Sequence, residues 1–407
     1  MSTTEGSAGR VAIAQRQARR TFALAGVYAV ATVGSLVLPH RTGAWLPLHL
    51  FLVGVLLLAI SASTQFFAVT WAAGPPPPTA VAATQRWLLA GGVALLAAAR
   101  ELEWPTAFAA IGGVAVIAAL LVLAASLHRI VTAGVQRRFD AALHAYLAAL
   151  SAGFCGAALG VVMVTGGWGS VLARVRAAHL SLNLLGLIGL VIVGTLPFFV
   201  ATQGRVKMSR RADPRAQSLV LAGLVAALVG STVGFLAGYD AVAAAGLVAY
   251  AGGIVGVVAL LPALGAKQLR WAGPRLLQLG AGLGWWIAAT LAVARQASGG
   301  GAVFTRGGGA VFTPTVVSVL VIGGYAQILL GSLAYLGPVL RGGGHERLAA
   351  GFRTTRSWPG LVAANVAAVA AVFGAGLVVG LAIGLWVFDS AVRAVVLLQP
   401  PKVSPAS

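Results

Sequence analysis

The sequence predicts an all-α polytopic bundle of transmembrane helices, about twelve spans with eleven as the alternative. Stretches without Lys, Arg, Asp or Glu run over 42–85, 141–173, 177–204, 241–266, 307–340 and 357–388. About 20 such residues at helical rise match the hydrocarbon thickness of a bilayer, and a helix facing water needs a polar stripe that these stretches lack. The composition agrees: 59% of residues are hydrophobic and 9% are charged, outside the range of water-soluble domains. Finally, Lys and Arg alternate joint by joint between rich and poor loops, as the topology of a multi-span protein requires.

A basic leader over 1–20, with Arg10, Arg16, Arg19 and Arg20, precedes a helical membrane region over 21–398 and a short tail over 399–407. The apolar segment after the leader reads as a retained first span, so no cleavable signal peptide is expected. Spans are expected over 21–38, 45–73, 81–99, 106–127, 139–165 and 177–202, then over 218–238, 241–264, 276–294, 316–336 and 360–388. The last is long for one crossing. Gly374 and Gly376 allow a tight turn there, which would leave a twelfth helix from about 377 to 398 carrying Asp389 and Arg393 near its end. The proline run 75–78 must lie outside the hydrocarbon, because proline donates no backbone hydrogen bond. The heptapeptide Gly-Gly-Gly-Ala-Val-Phe-Thr occurs at 299–305 and again at 307–313 around Arg306, and reads as a tandem duplication in a loop.

Counting Lys and Arg in alternate joints gives orientation. One set holds the leader arginines, Arg86, Arg129, Arg137, Arg138, Arg205, Lys207, Arg210, Arg211, Arg215, Lys267, Arg270, Arg275, Arg341, Arg347, Arg353, Arg356 and Lys402. The other holds Arg41, Arg100, Arg174, Arg176, Arg295 and Arg306, with Arg393 unassigned. The amino terminus is therefore expected on the cytoplasmic side of an inner (plasma) membrane. The net charge of +20 belongs to these loops, where it sets orientation and meets anionic lipid, so nucleic acid is not an expected partner.

The ionisable residues narrow the chemistry. Glu5, Glu101, Glu103, Asp140, Asp213, Asp240 and Glu346 lie at helix ends or in joints, and Asp389 near the end of the last apolar run. Without a mid-span carboxylate, a proton- or sodium-coupled pump is disfavoured, and no carboxylate pair is available for hydrolysis. Cys155 is the only cysteine, which excludes an internal disulfide and a thiolate metal cluster.

Two histidines stand a few residues into apolar spans in related settings, Leu48-His49-Leu50 and Ala178-His179-Leu180. Each opens a helix running inward from the same expected face, and each is followed by a Gly-containing apolar run and paired phenylalanines, Phe66-Phe67 and Phe198-Phe199. Neutral imidazole is a good ligand for haem iron or copper, so His49 and His179 are the candidate metal ligands; each could equally hydrogen-bond a backbone carbonyl. Asn183, one turn beyond His179, is placed to orient that ring or a ligand. His40 shares the outer layer but lies in a loop, where solvation is its simplest reading. His128, His144 and His345 belong to the opposite ends. Gln65, Tyr325, Gln327 and Asn365 are polar groups inside spans, suited to bonding between helices.

The stretches 49–70 and 179–202, together with Gly324-Tyr325-Ala326-Gln327-Ile328-Leu329-Leu330-Gly331 and Tyr335-Leu336-Gly337-Pro338, resemble a family of twelve-span actinobacterial membrane proteins. That family occurs alone or ahead of copper-oxidase or nitrite-reductase-type cupredoxin domains, and is distantly similar to subunit I of haem-copper oxidases and nitric oxide reductases. The resemblance implies that His49 takes the place of a low-spin haem ligand near the outer end of the second span, with His179 likened more loosely to a metal ligand. It departs from the oxidases in histidine number. They need about six intramembrane histidines, whereas this chain has six in all and four lie in joints or at helix ends. The expectation is a haem-copper-oxidase-like protein without a complete catalytic centre, binding one haem (haem b) or one copper at most and not an enzyme on its own. It would assist electron transfer or metal or nitrogen-oxide handling beside a multicopper oxidase or other redox partner. A transporter, or a membrane anchor without a redox centre, is the alternative.

Overall fold

A computed structural model describes residues 3–137, 139–299 and 311–399. Arg138, Arg306, Lys402, the first heptapeptide beyond Gly299, most of the second and the tail after Gln399 lie outside the described residues. The helices are α1 (Thr3–Val37), α2 (Trp45–Ala72), α3 (Thr79–Glu101), α4 (Thr106–Thr132), α5 (Asp140–Val164), α6 (Gly169–Gly204) and α7 (Pro214–Ala237). They continue with α8 (Asp240–Ala259), α9 (Ala266–Ala272), α10 (Pro274–Ser298), α11 (Pro314–Arg341), α12 (Gly344–Thr354), α13 (Trp358–Val372) and α14 (Gly376–Leu398). Among the described residues there is no strand, and eleven helices are long and apolar enough to cross a membrane. The chain is an all-α integral membrane protein.

Helix starts follow local chemistry. Asp213 Oδ1 accepts from the backbone N–H groups of Arg215 (2.8 Å) and Ala216 (2.9 Å) ahead of Pro214, and Thr313 and Ser357 cap α11 and α13 in the same way beside a proline. The expected break in the last apolar run is present. Gly374 adopts φ +69° between α13 and α14, a conformation that favours glycine. Its consequence is one full-length helix and one of 15 residues, about 22 Å long against the ~30 Å of a hydrocarbon core. Asp389 sits well inside α14, deeper than its sequence position suggested, and is neutralised by Arg393 at 2.9 Å and bonded by Ser357. Helix α1 runs back through the basic leader, where Ala14, Ala18 and Thr21 are buried and Gln17 donates to the Pro77 carbonyl (2.9 Å).

Three helices change gauge midway. Leu50–Leu56 in α2, Ser181–Gly189 in α6 and Val319–Ala326 in α11 are π-helical. They fall on the second, sixth and tenth of the eleven long helices, one every fourth span. A π-helix bonds residue i to i+5, is rarely longer than one turn, and concentrates at functional sites.

The chain divides into two compact units. The first comprises Met1–Leu196, Ala212–Gly253 and Ala297–Ala310; the second comprises Pro197–Arg211, Ile254–Gln296 and Val311–Ser407. In the first, Trp71 stacks on Phe67 (4.7 Å between centroids) and lies 6.3 Å from Tyr146, whose hydroxyl bonds Thr195 (2.8 Å). In the second, Trp285 donates to Asn365 (2.9 Å), Asn365 donates to Gln327 (3.2 Å), and Gln327 donates to the Gly323 carbonyl inside the π stretch of α11 (2.9 Å). Gln327 and Asn365 thus link helices, as intramembrane amides should. Gln65 stays within its own helix, donating to the Ser61 carbonyl (3.2 Å). Outward faces are apolar: Leu377, Leu381 and Phe388 on α14 are 78%, 67% and 68% exposed, a pattern suited to lipid rather than water.

The π stretch of α6 has its own side-chain partner. Tyr250 of α8, fully buried, donates from Oη to the Leu185 carbonyl at 2.5 Å. Tyr250→Phe strips that carbonyl of this donor in a place without water, and should cost about 1–3 kcal/mol. Thermal unfolding in detergent measures it, and an unchanged midpoint would show that Leu185 is satisfied within the helix.

Candidate functional site

Both candidate histidines lie in the first unit, immediately before a π stretch. His49 is the last α-helical residue before Leu50–Leu56, and His179 is two residues ahead of Ser181–Gly189. Both rings are half-buried. A charge placed on His179 would act on His49 electrostatically, and both histidines belong to the first unit.

Their hydrogen bonds select one tautomer. His49 Nδ1 faces the Trp45 carbonyl at 2.8 Å, and its ring stacks on the Trp45 indole at 4.0 Å. His179 Nδ1 faces the Gly156 carbonyl of α5 at 2.7 Å. A carbonyl only accepts, so each Nδ1 carries the proton and donates it. In each neutral ring Nε2 is then left with a lone pair, and among the described residues neither Nε2 has a hydrogen-bond partner. A backbone carbonyl on one ring nitrogen with the other free is how ligating histidines are oriented.

The seat of His179 is cut by glycines. A Cβ on Gly160 would stand 2.9 Å from His179 Cε1, and one on Gly156 would stand 2.5 Å from Asn183 Nδ2. Asn183 donates to the His179 carbonyl at 2.8 Å; its contact with His179 Nδ1 at 3.3 Å sets donor against donor and is not a bond in this tautomer. Asn183 therefore holds the backbone of the histidine turn, while the Gly156 carbonyl orients the ring.

Two arginines act on these histidines. Arg100 and Arg176 both act electrostatically on His49, Arg176 also acts on His179, and the Arg100 guanidinium lies 5.3 Å over the Trp45 ring. The nearby carboxylates are engaged in the loop: Glu101 accepts from the backbone N–H of Arg41 (2.8 Å) and from Thr42, and Glu103 pairs with Arg41. Among the described residues no group of three or more His, Cys, Asp and Glu could hold a metal ion. The two imidazoles are the candidate donors.

His40 is not a third. Nδ1 lies 3.0 Å from the Leu38 carbonyl and Nε2 lies 2.7 Å from that of Gly43, so both nitrogens are engaged. Only the imidazolium can donate to both, and these carbonyls raise its pKa above the ordinary 6.5. Any stabilisation of the loop is then complete below the unfolded value and is lost as pH rises through the raised one. An NMR titration should find His40 still protonated where a free histidine is neutral, with hydrogen exchange at 38–43 quickening once it deprotonates. His128, His144 and His345 are exposed.

The sequence singled out the two histidines and Asn183 as candidates and gave no sign of the π stretches or of the contacts of Gly156, Gly160 and Tyr250. In comparisons with known proteins, no family model matches the chain and no curated protein matches it. The chain stands as an integral membrane helix bundle in which two imidazoles, each fixed in the same tautomer, precede π-helical segments.

Proposed function

We propose that this integral membrane protein binds one redox metal centre through Nε2 of His49 and Nε2 of His179, and passes electrons to a partner oxidoreductase. The matched tautomers carry the reading: both rings are tied by Nδ1–H to a carbonyl and leave Nε2 as the donor. The charges favour haem over a bare copper ion. Arg100 and Arg176 would repel an uncompensated copper cation but would attract the anionic edge of a haem. Bound iron would supply a one-electron couple; the chain's residues supply ligation, ring orientation and an apolar surround that tunes the potential. The resemblance to haem-copper oxidase-like proteins supports the same assignment, with a multicopper oxidase as one class of partner. The Lys and Arg count supports a cytoplasmic amino terminus in the plasma membrane.

Protein purified from haem- and copper-replete cells should show a Soret band and about one iron per chain by elemental analysis. Copper at that stoichiometry without a Soret band would exchange haem for copper in the same site. A colourless protein lacking both metals would remove the redox reading and leave a transporter or an anchor. A topology reporter on the carboxyl terminus would check the orientation.

A further inference from the structure

The second unit contains a cluster of arginines that the redox reading does not use. Arg275, at the start of α10, is 1% exposed. Its Nε donates to the Ala272 carbonyl (3.0 Å) and its guanidinium lies 4.8 Å over the Phe352 ring, yet among the described residues buried Nη1 has no hydrogen-bond partner. Arg356, between α12 and α13, donates from Nη2 to the Trp271 carbonyl and lies 5.6 Å from the Trp271 ring; its buried Nε is also unpartnered. Arg205, just after α6, stands 3.4 Å over the same indole. Among the described residues, the charged neighbours that act on Arg275 are Arg356 and Arg205, together with the Tyr335 phenol, and no carboxylate is among them. Of the acids near these residues in sequence, Asp213 caps α7 and Glu346 is exposed, while Asp389 is committed to Arg393 and Ser357.

Three guanidiniums around one another repel, and aromatic faces offset only part of that. A buried guanidinium nitrogen without an acceptor is costly, and an anion with several oxygens would both supply acceptors and offset the three like charges. Phosphate fits best, because guanidinium meets its oxygens in forked pairs and several arginines can share one group. The N-terminal end of α10 adds its partial positive charge. All three residues belong to the arginine-rich set of joints, the expected location of contact with anionic lipid.

We propose that Arg205, Arg275 and Arg356 form a binding site for a phosphate-class oxyanion, presented as a lipid headgroup or as free phosphate. The probes are phosphatidylglycerol and inorganic phosphate, each added to the delipidated full-length protein in neutral detergent and followed by thermal unfolding and native mass spectrometry. Arg205→Gln and Arg356→Gln are the test variants, since neither side chain is fully buried; Arg356→Lys keeps the charge and loses the fork.

Phosphatidylglycerol that stabilises and stays bound, with affinity about tenfold lower in each Gln variant, would establish the headgroup form. Stabilisation by inorganic phosphate beyond that of chloride at equal ionic strength, lost in the same variants, would establish free phosphate. Equal behaviour of native protein and variants toward both probes would overturn the site, as would phosphate acting no better than chloride together with phosphatidylglycerol that neither stabilises nor stays bound. If Arg356→Gln fails to fold, the exposed Arg205 gives the reading alone.

Discussion

His179→Ala is expected to abolish the low-spin haem spectrum of the purified protein while leaving its helix content intact, and His49→Ala should do the same. Each substitution removes one of the two Nε2 donors that the tautomers leave free. Because no third imidazole, thiolate or carboxylate joins them among the described residues, nothing nearby can replace a lost ligand. The loss should be nearly complete. Asn183→Ala should be milder, about 10–100-fold in affinity, because Asn183 secures the His179 carbonyl rather than meeting the metal.

The same series separates ligation from folding. Neither ring carries a large share of the core, since both are only half-buried. Circular dichroism and elution volume should therefore match the native protein. A Soret band that survives both alanine variants would place the haem elsewhere and leave the two histidines as carbonyl-bound structural residues. Added imidazole offers a further check: it should restore colour in the alanine variants by filling the vacated space with the same donor.

The span pattern was legible because a bilayer core excludes charge wherever it contacts a helix. Thr106–Thr132, Asp140–Val164 and Pro274–Ser298 lie within a few residues of their expected bounds for that reason. The break at Gly374 was legible too, since a charge-free run too long for one crossing needs a residue that tolerates positive φ. The π stretches were not. Leu50–Leu56 and Val319–Ala326 are apolar on every face, so no periodicity distinguishes 3.6 residues per turn from a wider helix. Nor could spacing reveal that His179 bonds a carbonyl on another helix, or that Tyr250 meets Leu185. With 54 glycines in the chain, the two that admit His179 and Asn183 look like any others until α5 and α6 are placed together. The arginine cluster combines three separate joints and shows only in three dimensions.

Gly156→Leu should be the most damaging single change near the site, and it carries its own control. The new Cβ would stand 2.5 Å from Asn183 Nδ2 and 2.8 Å from its Cγ, with the rest of the leucine reaching into the seat of His179. Asn183 can escape only by releasing the His179 carbonyl, and α5 can escape only by withdrawing the carbonyl that orients the ring. Overpacking of this kind costs about 1–3 kcal/mol, more where the obstacle is backbone. Gly112→Leu supplies that second case: its Cβ would meet the Leu96 nitrogen at 2.7 Å and the Gly92 carbonyl at 2.8 Å, on the backbone of α3. Both variants should unfold at lower temperature, and Gly112→Leu at least as readily as Gly156→Leu. Only Gly156→Leu should lose haem in the fraction that remains folded, because it alone obstructs Asn183 and the His179 seat. Equal haem retention in the two folded fractions would mean that the glycine notch serves helix packing and leaves ligand geometry to other contacts.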